Sequence, residues 1–248
     1  MHADPRSSST QEKFLRKLSA SMHEMAQPMA TIQASLELAL LCPTTETEYK
    51  EIAENILGQL RSAVESMQFA ARLARFQQPA SDVRDILLSV VLEEVISSLQ
   101  RTLDTSQLQL LFFRSEHEPS ISASPARLRQ MFFYILQALQ GYSQPGDLAK
   151  IEIQEPAGRL VLRIKHSPAN HGTCRTRPSP GAIVERALAL ADAIVTGAGG
   201  ELNVSTDPLL IVADFPVKRE SGIIDTTKVS ELSNSQMSDG LHRLFKMS

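Results

Sequence analysis

The chain has no tryptophan, and its 248 residues include only two cysteines, Cys42 and Cys174. Thiols so far apart in sequence make neither a disulfide framework nor a CxxC metal knuckle, and they read as reduced thiols of a cytosolic protein. A net charge of −3 leaves no basic excess of the kind nucleic-acid binders carry. Aromatic residues make up 5% and no basic stripe interleaves with them. No stretch reaches the roughly 18 consecutive apolar residues that a spanning helix needs. Residues 1–11 are polar and lack the apolar middle segment of a secretory signal. The expectation is a cytoplasmic protein that has neither nucleic acid nor membrane as a partner. No fixed-period repeat is present, which sets aside solenoids and propellers. Hydrophobic residues make up 42% of the chain, enough to fill the core of one or two domains at roughly 150 residues each.

Apolar periodicity divides the chain in two. Residues 1–10 (MHADPRSSST) are polar and Ser-rich, and are expected to form a disordered lead-in whose Ser8, Ser9 or Thr10 caps the following helix. From Gln11 to about Leu41 a seven-residue rhythm sets in. Leu15, Met22, Met29 and Leu36 share one seam position, and Leu18, Met25, Ile32 and Ala39 share the other. An a/d pattern of this length predicts a bundle helix about 45 Å long, ended at Pro43. A second periodic run spans 46–76, with Tyr49, Ile52, Ile56, Ala63, Met67, Ala70 and Ala74 on one face, and residues 77–81 (QQPAS) form a linker. Two long helices joined by a short turn make an antiparallel hairpin that leaves an apolar stripe bare. A second copy would cover the stripe and complete a dimeric four-helix bundle.

Beyond Ser81 the pattern becomes mixed. Helices are expected over 85–99, 125–139 and 180–196. Strands are expected over 107–113, 150–154, 159–165, 201–205 and 209–215, with hairpin turns at Ala157-Gly158 and Asp207-Pro208. The fold class is therefore α+β: a helical hairpin (11–78) followed by an α/β sandwich (82–217) with helices on one face of one sheet. Residues 218–248 read as a polar tail in which Leu241, Leu244 and Phe245 could form a short docking helix.

The segment richest in chemistry is Ser21-Met22-His23-Glu24-Met25-Ala26-Gln27-Pro28-Met29. His23 follows a seam position, so its ring should flank the packed seam and reach solvent. A phosphoacceptor imidazole needs one ring nitrogen free for attack and the other steered by an acceptor, which the adjacent Glu24 carboxylate can supply. Gln27 lies one helical turn on and can orient a water or a phosphoryl oxygen. Pro28 removes a backbone hydrogen bond one turn back and loosens the helix near His23. The zinc-protease pattern is missed, because the second histidine is replaced by Gln27.

His-Glu-x-x-Gln-Pro within the first of two long helices resembles the H-box of two-component sensor histidine kinases. The resemblance implies that His23 is the phosphoacceptor, Glu24 its neighbouring acid, Gln27 the position linked to phosphatase activity and Pro28 the characteristic proline. Residues 124–139 (SPARLRQMFFYILQAL) resemble the N-box helix of the kinase ATPase domain, where two asparagines face the nucleotide and one ligates Mg²⁺. The matching positions here are Tyr134 and Ala138, neither of them a usual Mg²⁺ ligand. Where the family carries Asp-x-Gly-x-Gly, this chain has residues 166–172 (HSPANHG). Where the family has a Gly-x-Gly phosphate loop, it has Glu185-Arg186-Ala187-Leu188. The later frame, Gly199-Gly200-Glu201-Leu202-Asn203-Val204, still fits. The resemblance thus covers residues 11–217 and implies an ATPase-type sandwich that kept its scaffold while three nucleotide elements failed together.

The expectation is a homodimeric phosphorelay protein, a histidine phosphotransferase with a degenerate ATP site. It would exchange a phosphoryl group on His23 with aspartates of response-regulator receiver domains and need no cofactor. A sensor kinase is a further candidate partner. Two alternatives stand beside it: a histidine kinase core that autophosphorylates with ATP and Mg²⁺, and a non-catalytic module that binds a kinase or receiver. His166, His171 and Cys174 have spacing too weak for a zinc site and read as a polar loop, and Arg175 and Arg177 beside them read as solvated charge.

Overall fold

The computed structural model describes residues 5–41, 45–115, 118–169, 181–206 and 208–217. Cys42, Cys174, His171, Arg175, Arg177, Asp207 and the 218–248 tail lie outside them.

The hairpin consists of α1 (Pro5–Leu41) and α2 (Glu46–Gln77). Helix α1 starts at Pro5, within the expected lead-in, because Pro is well suited to a first helical turn and the Ser run that follows does not break one. Pro28 sits inside α1, which runs on through it, although the missing N–H deprives the Glu24 carbonyl of its helical partner. Thr45 starts α2 with a capping box. Its hydroxyl accepts from the Glu48 N–H, while its own N–H donates to the Glu48 carboxylate at 2.7 Å.

The seven-residue rhythm is real, but its two seams point different ways. Ile32 is buried with Ser21 and Pro28 against α2, and Leu18, Met25 and Ala39 are half-buried on the same side. The other seam, Leu15, Met22, Met29 and Leu36, faces solvent. On α2 the inward line runs through Ile52, Ile56, Ala63, Ser66 and Ala70, whereas Tyr49, Met67 and Ala74, expected on that face, are exposed. Small residues let the helices approach closely: the buried Ser21 hydroxyl donates to the Ser66 carbonyl at 3.1 Å.

The α/β layer follows with β1 (Arg84–Ile86), α3 (Leu88–Ser106), β2 (Gln109–Phe113), β3 (Ile121–Ala123), α4 (Pro125–Tyr142), β4 (Leu148–Gln154), β5 (Arg159–Ser167), α5 (Ala182–Gly197), β6 (Glu201–Thr206) and β7 (Leu209–Pro216). The five-stranded sheet has the order β2-β4-β5-β7-β6, with β2 parallel to β4 and the other pairs antiparallel. Strands β4 and β7 bury alternate residues on one face, against the helices, as the period-2 pattern requires. The β4–β5 hairpin turns at Ala157 and Gly158 with φ of 54° and 75°, the left-handed pair that a tight two-residue turn demands. Two expectations are corrected. Residues 84–86, read partly as the start of a helix, form β1, and β1 pairs antiparallel with β3, a strand not anticipated. Such three-residue strands carry too little periodicity to be seen in sequence, and pairing alone creates them.

One core unites the layer with the end of the hairpin. Leu73 and Phe76, on the last turns of α2, are buried in the same cluster as Leu128, Phe132, Ile135 and Leu190, and Phe14 of α1 packs against it. The Arg127 guanidinium fixes the junction by donating to the Phe76 carbonyl at 3.1 Å and to that of Gln78. A cation at the C-terminal end of α2 meets both the orphan carbonyls and the negative end of the helix dipole.

Candidate functional site

His23 stands on the exposed flank of α1, one residue beyond the outward seam. Among the described residues no hydrogen bond or ion pair engages its ring, so both ring nitrogens are open to an approaching molecule. Beside it lies a groove of about 620 Å³. Glu24, Gln27, Pro28 and Thr31 of α1 form one wall, Gln59, Ser62 and Ser66 of α2 the other, and Arg186 of α5 contributes to the lining. The helical spacing of 24, 27, 28 and 31 puts these residues on one face, so the H-box segment becomes a groove wall rather than a packed core.

Glu24 is half-exposed and engaged. Arg186 Nη2 donates to its Oε2 at 3.1 Å and also to Ser66 Oγ at 3.2 Å. Arg186 Nη1 lies 3.7 Å from Glu65 Oε2, and the guanidinium sits 6.0 Å from the centre of the Phe69 ring. A second ion pair, Lys17 with Asp192, joins α1 to α5. Gln27 is exposed, and its carbonyl accepts from the Thr31 hydroxyl at 3.1 Å. The structure thus brings together Glu24, Gln27 and Pro28 in one groove with His23 on the adjoining flank. Sequence reasoning passed over Arg186, reading it only as part of a missing glycine loop. With 162 residues between Arg186 and Glu24, nothing local in the sequence signals the pairing.

The matching positions of the nucleotide helix are occupied by packing. Tyr134 is buried on α4 and makes edge-on contacts with Phe76 of α2, at a centroid distance of 6.4 Å, and with Phe133 at 5.9 Å. Ala138 is fully buried. One turn on, a Cβ added at Gly141 would lie 2.9 Å from a Val184 methyl, so α4 and α5 touch directly there. Alanine offers no donor atom, and the tyrosine ring packs in an aromatic cluster; these residues do not fit the Mg²⁺–nucleotide ligation of an N-box.

His166 is buried, with Nε2 2.9 Å from Asp147 Oδ2, and Asp147 also accepts from the Gln144 and Ala169 N–H groups. These bonds tie the end of β5 to the α4–β4 turn. Among the described residues no cluster of three metal-ligating side chains exists. No described helix is long and apolar enough to cross a membrane.

No family model matches the sequence, and no curated protein matches it. Solved structures do. The Acinetobacter baumannii histidine kinase AdeS is similar at a TM-score of 0.52 and 17% identity, over 79% of this chain and 98% of that one. The cytoplasmic segment of histidine kinase QseC gives a TM-score of 0.44 at 12% identity, over 58% of this chain and 87% of that one. The mycobacterial sensor histidine kinase MprB gives 0.43 at 16%, over 54% and 97%. The match to AdeS, which spans hairpin and layer together, carries the assignment: this chain has the fold of a sensor histidine kinase core, a helical hairpin followed by an ATPase-type α/β sandwich.

Proposed function

We propose that this protein is a two-component phosphorelay protein that carries a phosphoryl group on His23 and exchanges it with receiver-domain aspartates without using ATP. The observation that carries this reading is a contrast within one fold. The segment resembling an H-box offers a solvent-facing imidazole beside an open polar groove, while the positions matching the N-box asparagines hold Tyr134 and Ala138, both buried.

Transfer from an aspartyl phosphate needs no further activation, because the acyl phosphate is already a reactive donor. A ring nitrogen of His23 attacks phosphorus, the N–P bond forms, and the P–O bond to the receiver aspartate breaks. The carboxylate departs with the electron pair. Positive charge that develops on the imidazole is stabilised by the neighbouring Glu24 carboxylate. Gln27 orients a phosphoryl oxygen or a water. The receiver brings its own Mg²⁺. The outward seam of the hairpin supports a homodimer in which two copies pair through Leu15, Met22, Met29 and Leu36.

The test is transfer from a receiver domain phosphorylated on its aspartate. The wild-type chain should gain acid-labile, base-stable label and His23→Ala should gain none. If the wild type stays unlabelled with every receiver encoded alongside it, the relay reading is wrong. A fluorescent ATP analogue should not bind at micromolar concentration; saturable Mg²⁺-dependent binding with autophosphorylation would instead select the kinase. Receiver binding and signalling unchanged by His23→Ala would select a non-catalytic module.

A further inference from the structure

Among the described residues, the α/β layer reaches the phosphotransfer groove through one side chain, Arg186. Its position in α5 is set by flanking core residues: Val184, Ala187 and Leu190 are buried, so the next side chain round the helix is turned toward the hairpin. The guanidinium is held from three sides. Ser66 Oγ accepts at 3.2 Å, the Phe69 ring lies beneath it at 6.0 Å, and Glu65 offers a longer contact at 3.7 Å. The fork so fixed presents Nη2 to Glu24 Oε2 at 3.1 Å.

As a contribution to stability this pair counts for little, since the Glu24 side chain is 51% exposed and the Arg186 side chain 26%. Its geometry matters more. A glutamate on a solvated helix flank samples many rotamers. With one oxygen held by a preorganised guanidinium, the other is left to serve the groove and the His23 flank.

We infer that Arg186, supplied by the former nucleotide layer, is a positioning residue that holds Glu24 in place for phosphoryl transfer at His23. This rests on the transfer reading above and gives the retained layer a role that needs no nucleotide. The transfer step is unchanged: N–P bond made, P–O bond to the aspartate broken, carboxylate released. Arg186 takes no proton and touches no reacting atom; it acts through Glu24.

The experiment is a rapid-quench measurement of His23 labelling by a phosphorylated receiver, using the full chain. Glu24→Gln should slow labelling on the order of 100-fold, the usual weight of a positioned acid–base group. Arg186→Gln should slow it about 10-fold, since it removes the order and not the carboxylate. The two together should be no slower than Glu24→Gln alone, because a residue that acts only through Glu24 has nothing left to position. Arg186→Lys keeps the charge and should recover the rate to within about 3-fold of wild type. Arg129→Gln, which breaks only the ion pair with Glu94 between α4 and α3, should be silent.

An ordinary staple between layer and hairpin predicts otherwise: the Arg186→Gln and Glu24→Gln losses multiply and track melting temperature. That result overturns the inference, as does an Arg186→Gln rate equal to or above wild type. If Arg186→Gln proves too unstable to assay, Arg186→Lys with and without Glu24→Gln gives the same cycle, and multiplied losses there also overturn it. A wild type that takes no label overturns the transfer reading itself. A labelled wild type with multiplied losses overturns the positioning role alone.

Discussion

Met29→Glu should split the proposed homodimer while leaving each protomer folded. The outward stripe contains Leu15, Met22, Met29 and Leu36 on α1, exposed by 53, 59, 54 and 48%, and Leu57, Leu60, Val64 and Met67 on α2, exposed by 51, 41, 44 and 55%. Fully burying an apolar side chain of this size is worth roughly 1.5–3 kcal/mol, so covering the exposed half of one is worth about 1 kcal/mol. Sixteen such side chains in a symmetric pair contribute on the order of 16 kcal/mol. Lost translational and rotational freedom takes back roughly 4–15 kcal/mol, and a cost of about 8 kcal/mol leaves about 8 kcal/mol. That surplus corresponds to a dissociation constant near ~1 μM. Met29→Glu puts a carboxylate on each side of the two-fold seam and costs about 2 kcal/mol or more per copy, enough to weaken association by roughly 10³-fold. Light scattering after gel filtration at about 50 μM loading, well above the dissociation constant, should give twice the monomer mass for the wild type and the monomer mass for the variant. Far-UV circular dichroism should be nearly unchanged, because Met29 makes no buried contact within the protomer. A monomeric wild type at that concentration, or a variant still dimeric, would refute the assignment of this stripe to self-association.

Three further outcomes follow from the same geometry. Arg127→Ala removes a charged donor from the last carbonyls of α2 and should lower unfolding free energy by about 2 kcal/mol in urea titration, with hydrogen exchange rising first at 73–78. Ala138→Asn, which restores the family residue at a fully buried position, should not confer Mg²⁺-dependent binding of an ATP analogue. It should instead destabilise by about 1–3 kcal/mol as an unpaired buried amide. The Ser124 hydroxyl, with lesser help from the Ala126 N–H and the Arg127 charge, holds the Asp82 carboxyl below its ordinary range. The unfolded state therefore binds the proton more readily. This contribution is complete above the unfolded pKa of roughly 3.9 and is lost as pH falls through the lower folded value. Ser124→Ala should accordingly flatten the acid limb of a melting-temperature profile below about pH 4.

Much of this was legible in the sequence because the long elements carry their own period. The heptads of α1, the apolar period of α2 and the alternation of β4 and β7 each specify an element without reference to the rest of the chain. The rhythm did not reveal which seam faces the partner helix. Ser21 and Pro28 line the inner face as firmly as Ile32 does, while the more apolar Met22 and Met29 turn outward. Polarity does not settle the choice of inner face there. The helical spacing of Glu24, Gln27 and Pro28 was legible in the sequence, and their reading as an H-box came from the resemblance to sensor histidine kinases. Arg186 was not, since its partners on the hairpin lie 120 and 162 residues away, and only the packing of α5 against the hairpin brings them together. Strands β1 and β3 were invisible for the same reason: their mutual pairing defines them, not their composition.

The junction between hairpin and layer is a fixed one, because the two share a core. Parting them exposes Leu73 and Phe76, at about 1.5–3 kcal/mol each, strips three backbone carbonyls of the Arg127 fork, and breaks the Lys17–Asp192 and Arg186–Glu24 pairs. Tyr134 adds to the same joint through its edge-on contact with Phe76 of α2. In the proposed relay, the residue at the N-box position thus serves the interface. In a relay that takes its phosphoryl group from outside, rigidity at this joint is useful, because it holds the groove beside His23 in a single shape for a receiver to meet.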